Sequence, residues 1–120
     1  MIAPEELNSG LAVARMENVE LTYVGQSFRL GRYPIHFHII GDGSASYVRK
    51  CSVHQTFNRG LNIHNTNNLT VSDNVFFNSK GGTIFLEDGI EMFNSFIGNL
   101  VAKVLHYLYH KLRDIRTMIS

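Results

Sequence analysis

A single cysteine, Cys51, stands in the 120 residues, so no intrachain disulfide can staple the fold; its strand parity with Val53 marks it as a buried thiol. No run of Lys or Arg occurs before the C-terminal segment and the net charge is +1, which removes the electrostatic case for a nucleic-acid partner. Nor is any apolar stretch long enough to cross a bilayer, since the most apolar one, 96–109, contains Lys103 and His106. The opening Met1-Ile2-Ala3-Pro4-Glu5-Glu6 has neither the basic flank nor the apolar run of a secretory leader, and no signal peptide is expected in this chain. Hairpin dipeptides between paired apolar runs are also missing: Asp42-Gly43 and Asp88-Gly89 each fall at the end of a repeat.

What remains is one domain's worth of sequence, 44% hydrophobic and 18% charged, enough to build a core without metal or disulfide. Its organising feature is a repeat of about twenty-two residues from Ser46 to Leu100, the length of one rung of a stacked solenoid. Cys51-Ser52-Val53-His54, Asn58 and Leu61-Asn62-Ile63-His64 recur as Asp73-Asn74-Val75-Phe76, Asn78 and Ile84-Phe85-Leu86-Glu87. This superposition sets Val53 on Val75 and His54 on Phe76, then slips by one residue to set Leu61 on Ile84 and Ile63 on Leu86. Upstream, 33–40 reads as a strand with Ile35, Phe37 and Ile39 on one face and His36 and His38 on the other. Asparagine crowds the repeat at Asn58, Asn62, Asn65, Asn67, Asn68, Asn74 and Asn78, where it tolerates left-handed corners and can hydrogen-bond between rungs.

These patterns predict an all-β fold, a right-handed parallel β-helix of about four rungs, the hand following the rule for parallel crossovers. Residues 1–10, polar with Pro4 and Gly10, are expected to be a disordered lead-in to a repeat domain over 11–100. In 101–120, Val101, Val104, Leu105, Leu108, Leu112 and Ile115 fall at helical spacing, predicting an amphipathic α-helix that caps the open end of the solenoid.

Stacking the strand at 33–40 on the repeat places His38 over His64 over Glu87 as an outward column, with His36 on the same face and Asp88 next to Glu87. Parallel strands lie about 4.8 Å apart, so such a column can reach one ion or one substrate group. His36, His38, His64, Glu87 and Asp88 are therefore candidate ligands for a divalent cation, while His38, His64 and Glu87 are candidate acid/base groups for glycoside or lyase chemistry. The bland alternative is a solvated ladder of mutually hydrogen-bonded side chains. Arg32 and Arg59 flank the histidine strands and could bind an anionic sugar, or simply pair with Asp42 or Glu87. His54 reads as a surface or corner histidine, and Asn68-Leu69-Thr70 is a glycosylation sequon at Asn68 if the chain is secreted. A competing motif, His36-Phe37-His38 followed by Asp42, matches part of a cupin metal site, although Arg49 stands where that pattern wants glycine.

Val19-Glu20-Leu21 through Val24-Gly25-Gln26, Gly31-Arg32-Tyr33-Pro34-Ile35-His36-Phe37-His38, Ser46-Tyr47-Val48-Arg49, Thr56-Phe57-Asn58-Arg59 and Phe85-Leu86-Glu87-Asp88-Gly89 resemble the β-helix region of the fibrocystin-L and cell-surface hyaluronidase family. The resemblance runs from about Leu11 to Leu100. It implies an extracellular or cell-surface setting and a glycan or protein partner there. The hyaluronidase branch has a histidine where this sequence has Gly82, and Lys80-Gly81-Gly82 is closer to the fibrocystin-L branch, which implies a non-catalytic module rather than a hyaluronan-cleaving one.

Overall fold

The computed structural model describes residues 1–4 and 12–105. Short runs of β-branched and aromatic residues alternate with polar corners, and among the described residues they form eleven strands and no helix. The strands fall into three parallel sheets. One stacks β1 (Arg15–Glu17), β4 (Tyr47–Arg49), β7 (Thr70–Ser72) and β10 (Ser95–Ile97). A second stacks β2 (Glu20–Thr22), β5 (Ser52–Thr56), β8 (Val75–Ser79) and β11 (Leu100–Val104). The third holds β3 (Ile35–Asp42), β6 (Leu61–Asn67) and β9 (Ile84–Leu86). Each strand thus lies on the one three places later in the chain. That is a three-sided β-helix with three full rungs and the first two sides of a fourth.

Its interior is a set of vertical columns, because parallel pairing puts equivalent residues of successive rungs above one another. Leu21, Val53, Phe76 and Val101 form one column; Met16, Val48, Val71 and Phe96 form another; Ile35, Leu61 and Ile84 form a third. Val48, Val53, Leu61, Val71 and Phe76 are wholly buried. Asparagines complete the corners: the Asn74 side-chain carbonyl accepts from the Cys51 N–H at 2.9 Å, while its amide donates to Val48 O and to Asn99 Oδ1, each at 2.9 Å. Cys51 is the buried thiol its parity indicates.

Several expectations need correction. The two compared passages superpose without a slip: Val53 pairs with Phe76 and His54 with Phe77, so between them the spacing is 23 residues on this side of the coil as well. Matching Val53 to Val75 followed residue type, whereas the register obeys burial, since Phe76 is fully buried and Val75 exposed. Ile39 does not join the interior; it takes φ +53° at a bulge after His38, and Ile40 turns inward instead, fully buried. Asn65 makes the same left-handed step one rung on, with φ +41°.

The helix expected over 101–120 does not begin where helical spacing placed it. Residues 100–104 are β11, which pairs with β8 because Val101 continues the Phe76 column; 106–120 lie outside the described residues. At the other end, Ile2 bridges Phe37 in parallel, donating to His36 O at 2.7 Å and accepting from the His38 N–H at 2.9 Å; residues 5–10 of the expected lead-in lie outside the described residues. The parallel sheets also exclude the antiparallel jelly roll of a cupin.

The register yields a direct test. Phe76→Ala is expected to cost about 3–5 kcal/mol of unfolding free energy, whereas Val75→Ala, outside the column, is expected to cost less than about 1 kcal/mol. Urea denaturation of both variants decides it, and equal losses would contradict the pairing.

Candidate functional site

The outward face of the β3–β6–β9 sheet carries the candidate residues. Alternation directs Ile35, Phe37, Leu61 and Ile63 inward, so His36, His38, Asn62 and His64 point out from the same two strands. His38 pairs with His64 in register, and the Glu87 N–H donates to Ile63 O at 2.9 Å, which sets Glu87 over His64. The expected column is present.

The face is only partly solvated, however: His38, His64 and Glu87 are half-buried and Asp88 is exposed. Tyr33 packs edge-on against His36 with ring centres 4.9 Å apart, and the imidazoles of His36, His38 and His64 follow at 5.0 and 4.9 Å. Arg59 lies 3.6 Å over the Phe85 ring and 5.1 Å from that of Tyr33. It donates to Tyr33 Oη and to Asn62 Oδ1 at 3.1 and 3.0 Å. Under this cover His36 is 3% exposed and Asn62 fully buried.

Each acceptor fixes where protons sit. A carbonyl oxygen only accepts, so the 3.1 Å contact between His36 Nδ1 and Gly31 O places the proton on Nδ1 and leaves the lone pair on Nε2. That Nε2 is buried without a hydrogen-bond partner, 3.9 Å from Glu87 Oε2. A carboxylate likewise accepts, so His64 Nε2, 2.9 Å from Asp88 Oδ2, is the donor of its ring, and in the neutral imidazole Nδ1 carries the lone pair. His64 Nδ1 lies 3.1 Å from His38 Nδ1 and 3.9 Å from Glu87 Oε2. Glu87 is held by the Asn62 amide at 2.6 Å. Ring nitrogens of His36, His38 and His64 all fall within 4.8 Å of one another.

Burial pushes the His36 imidazole down to about 4, with the neighbouring His38 adding to the effect and the Gly31 carbonyl and Glu87 opposing it. Burial would raise Glu91, but backbone N–H groups at Glu91, Asn65, Asp88 and Gly89 hold it below the usual glutamate value. Glu91 Oε1 accepts from the Asn65 and Asp88 N–H groups at 3.1 and 3.2 Å, which ties the loop bearing Asp88 to the corner after His64.

The five candidates His36, His38, His64, Glu87 and Asp88 therefore meet on one face, and Arg59 joins them. It binds Tyr33 and Asn62 rather than pairing with Asp42 or Glu87 as one expectation had it. Arg32 is exposed beside Met1, Gln26 and Tyr33, in a separate shallow groove. Asp42 is engaged elsewhere, by the Asn68 amide at 3.0 Å and by Ser44 Oγ at 2.8 Å; those donors hold it below the usual aspartate value, and it completes no metal set with His36 and His38. Asn68 is exposed at its corner. His54 contacts Glu20 at 2.7 Å and Gln55, on another side of the coil. Sequence reasoning missed Asn62, Tyr33, Phe85 and Glu91; only Asn62 left a signal, its parity with His64.

Gly82 has a structural reading of its own. A Cβ there would come within 3.1 Å of the Phe85 ring, so the absence of a side chain lets Phe85 lie over Arg59.

The buried neutral His36 predicts acid sensitivity. Its folded-state value of about 4 lies below the ordinary 6.5, so the unfolded chain takes up the proton first. Its contribution is complete above pH 6.5 and is lost progressively as pH falls toward 4, by about 3 kcal/mol in all. Urea midpoints between pH 7.5 and 4 check this; His36→Gln should flatten the profile, and an unchanged slope would contradict it.

Comparison with known proteins gives a consistent set of relatives. The family model for the CEMIP beta-helix matches residues 6–118. Mouse fibrocystin-L is 50% identical over 95 residues, 78% of this chain but 2% of that protein. The mouse cell migration-inducing and hyaluronan-binding protein is 43% identical over 94 residues, 72% of this chain and 7% of that protein. The human cell surface hyaluronidase CEMIP2 is 42% identical over 89 residues, 68% of this chain and 6% of that protein. The chain thus spans a small fraction of the length of the curated relatives it matches.

Proposed function

Because this chain belongs to the CEMIP beta-helix family, we propose that it is a right-handed β-helix module of an extracellular or cell-surface protein, non-catalytic, which binds an acidic glycan of the hyaluronan class. The observation that carries this reading is Arg59. Its guanidinium is stacked on Phe85, braced by Tyr33 and hydrogen-bonded to Asn62 beside three imidazoles. A preorganised cation suits a carboxylated sugar: the rings hold the guanidinium in place and the guanidinium pairs with the carboxylate. Two relatives whose names refer to hyaluronan support the choice of glycan. No helix among the described residues is long and apolar enough to cross a membrane.

A second reading rests on the Asp88–His64 contact. An imidazole oriented by a carboxylate at 2.9 Å, next to Glu87, is an acid/base set able to cleave a polysaccharide. One experiment separates the two. A fluorescent hyaluronan oligosaccharide is expected to bind the chain without shortening, and Arg59→Ala to weaken binding at least tenfold. Hyaluronan size loss abolished by His64→Ala would replace the binding module with the enzyme, and no binding at all would remove both.

A further inference from the structure

We propose that His36, His38 and His64, with Glu87 as the adjoining carboxylate, form a binding site for one first-row divalent transition ion of the zinc class. This stands apart from the glycan reading, because it depends on where the imidazole lone pairs point and not on Arg59.

The argument begins with the unpartnered nitrogen. His36 is 3% exposed, and its Nε2 has no hydrogen-bond partner while it faces His38, His64 and Glu87. A buried acceptor left without a donor costs free energy, and a cation at that point would satisfy it. The far nitrogen of the same ring is spent on the Gly31 carbonyl. His64 repeats the arrangement with the opposite tautomer, its Nε2 spent on Asp88 and its Nδ1 turned toward the cluster. Metal-binding histidines characteristically donate their second ring N–H to a backbone carbonyl or a carboxylate, which fixes the tautomer and raises basicity. One ring here has the first kind of partner and another has the second.

The spacing fits as well. Zinc–nitrogen bonds of about 2.0–2.1 Å put tetrahedral ligand nitrogens about 3.4 Å apart. Here His38 Nδ1 donates to His64 Nδ1 at 3.1 Å, a proton that an ion bound between the two rings would displace, and one nitrogen from each of the three rings falls within 4.8 Å of the others. Glu87 Oε2 lies 3.9 Å from both His36 Nε2 and His64 Nδ1, steadied by Asn62. Three imidazoles with one carboxylate favour zinc, copper or nickel over calcium or magnesium, which take all-oxygen shells.

The full chain, stripped with a chelator, is titrated calorimetrically with zinc, and cobalt is used as a spectroscopic probe of tetrahedral nitrogen ligation. One equivalent is expected to bind, with affinity reduced at least a hundredfold in His38→Ala and in His64→Ala. Asp88→Asn, which alters only the outer partner of His64, is expected to lose about tenfold to a hundredfold. A variant with His54, His106 and His110 all replaced by Ala should bind as the parent does. Circular dichroism confirms that each variant is folded; for any that is not, His64→Gln replaces it. Absence of saturable one-to-one binding, or affinity retained in a folded His38→Ala/His64→Ala protein, would overturn the site.

Discussion

Parallel stacking of each strand on the strand one rung later is the constraint from which the rest of this molecule follows. It converts distance along the chain into vertical adjacency, so that the Leu21, Val53, Phe76 and Val101 side chains share one column although they come from four rungs. Burial then depends on having a neighbour on both sides. Val53 and Phe76 in mid-column are wholly buried, while Val101 at its end is 41% exposed despite its equivalent place. A hydrophobic residue in this fold is worth what its rung neighbours make of it.

Corners modulate the stacking. A single left-handed residue after the outward-facing position reverses side-chain parity, and it recurs at Ile39 and Asn65 on one side and at Gln55, Asn78 and Lys103 on another. Where asparagine occupies the step the sequence signals it, since asparagine is the non-glycine residue best suited to positive φ. Ile39 and Lys103 give no such signal. Ile39 is β-branched and unfavourable there, held in place because Ile40 and Thr66 are drawn into the interior on either rung. This is why alternation beyond His38 led to the wrong isoleucine, and why residue-type matching of Val53 to Val75 introduced a slip that the register does not contain.

The candidate site combines both levels. Its column of His38, His64 and Glu87 is a product of strand parity and rung spacing, and both could be read from the residues. Its character is set by groups that no periodicity predicts: Tyr33 from the segment before β3, Arg59 from the corner before β6, Phe85 from β9, and the Gly31 carbonyl. These turn a face that alternation alone would leave wet into one where His36 is nearly sealed and a lone pair is trapped. Gly82 shows the same interplay, since its missing side chain makes room for the ring on which the guanidinium rests.

By itself, the sequence determined the coil, its parallel sense, the absence of hairpins among the described residues and the vertical alignment of the ligand-type residues, because these depend on periodicities of two and of about one rung, which are local and repetitive. Tertiary structure alone decided the strand at 100–104, the bridging of Ile2 to Phe37, the seal over His36 and the protonated nitrogens of His36 and His64. Helical spacing in 101–105 could not reveal that a β8 edge was waiting to be paired. Nor could any pattern along the chain disclose which carbonyl or carboxylate would meet each ring, since those partners are brought together only when the rungs close on one another.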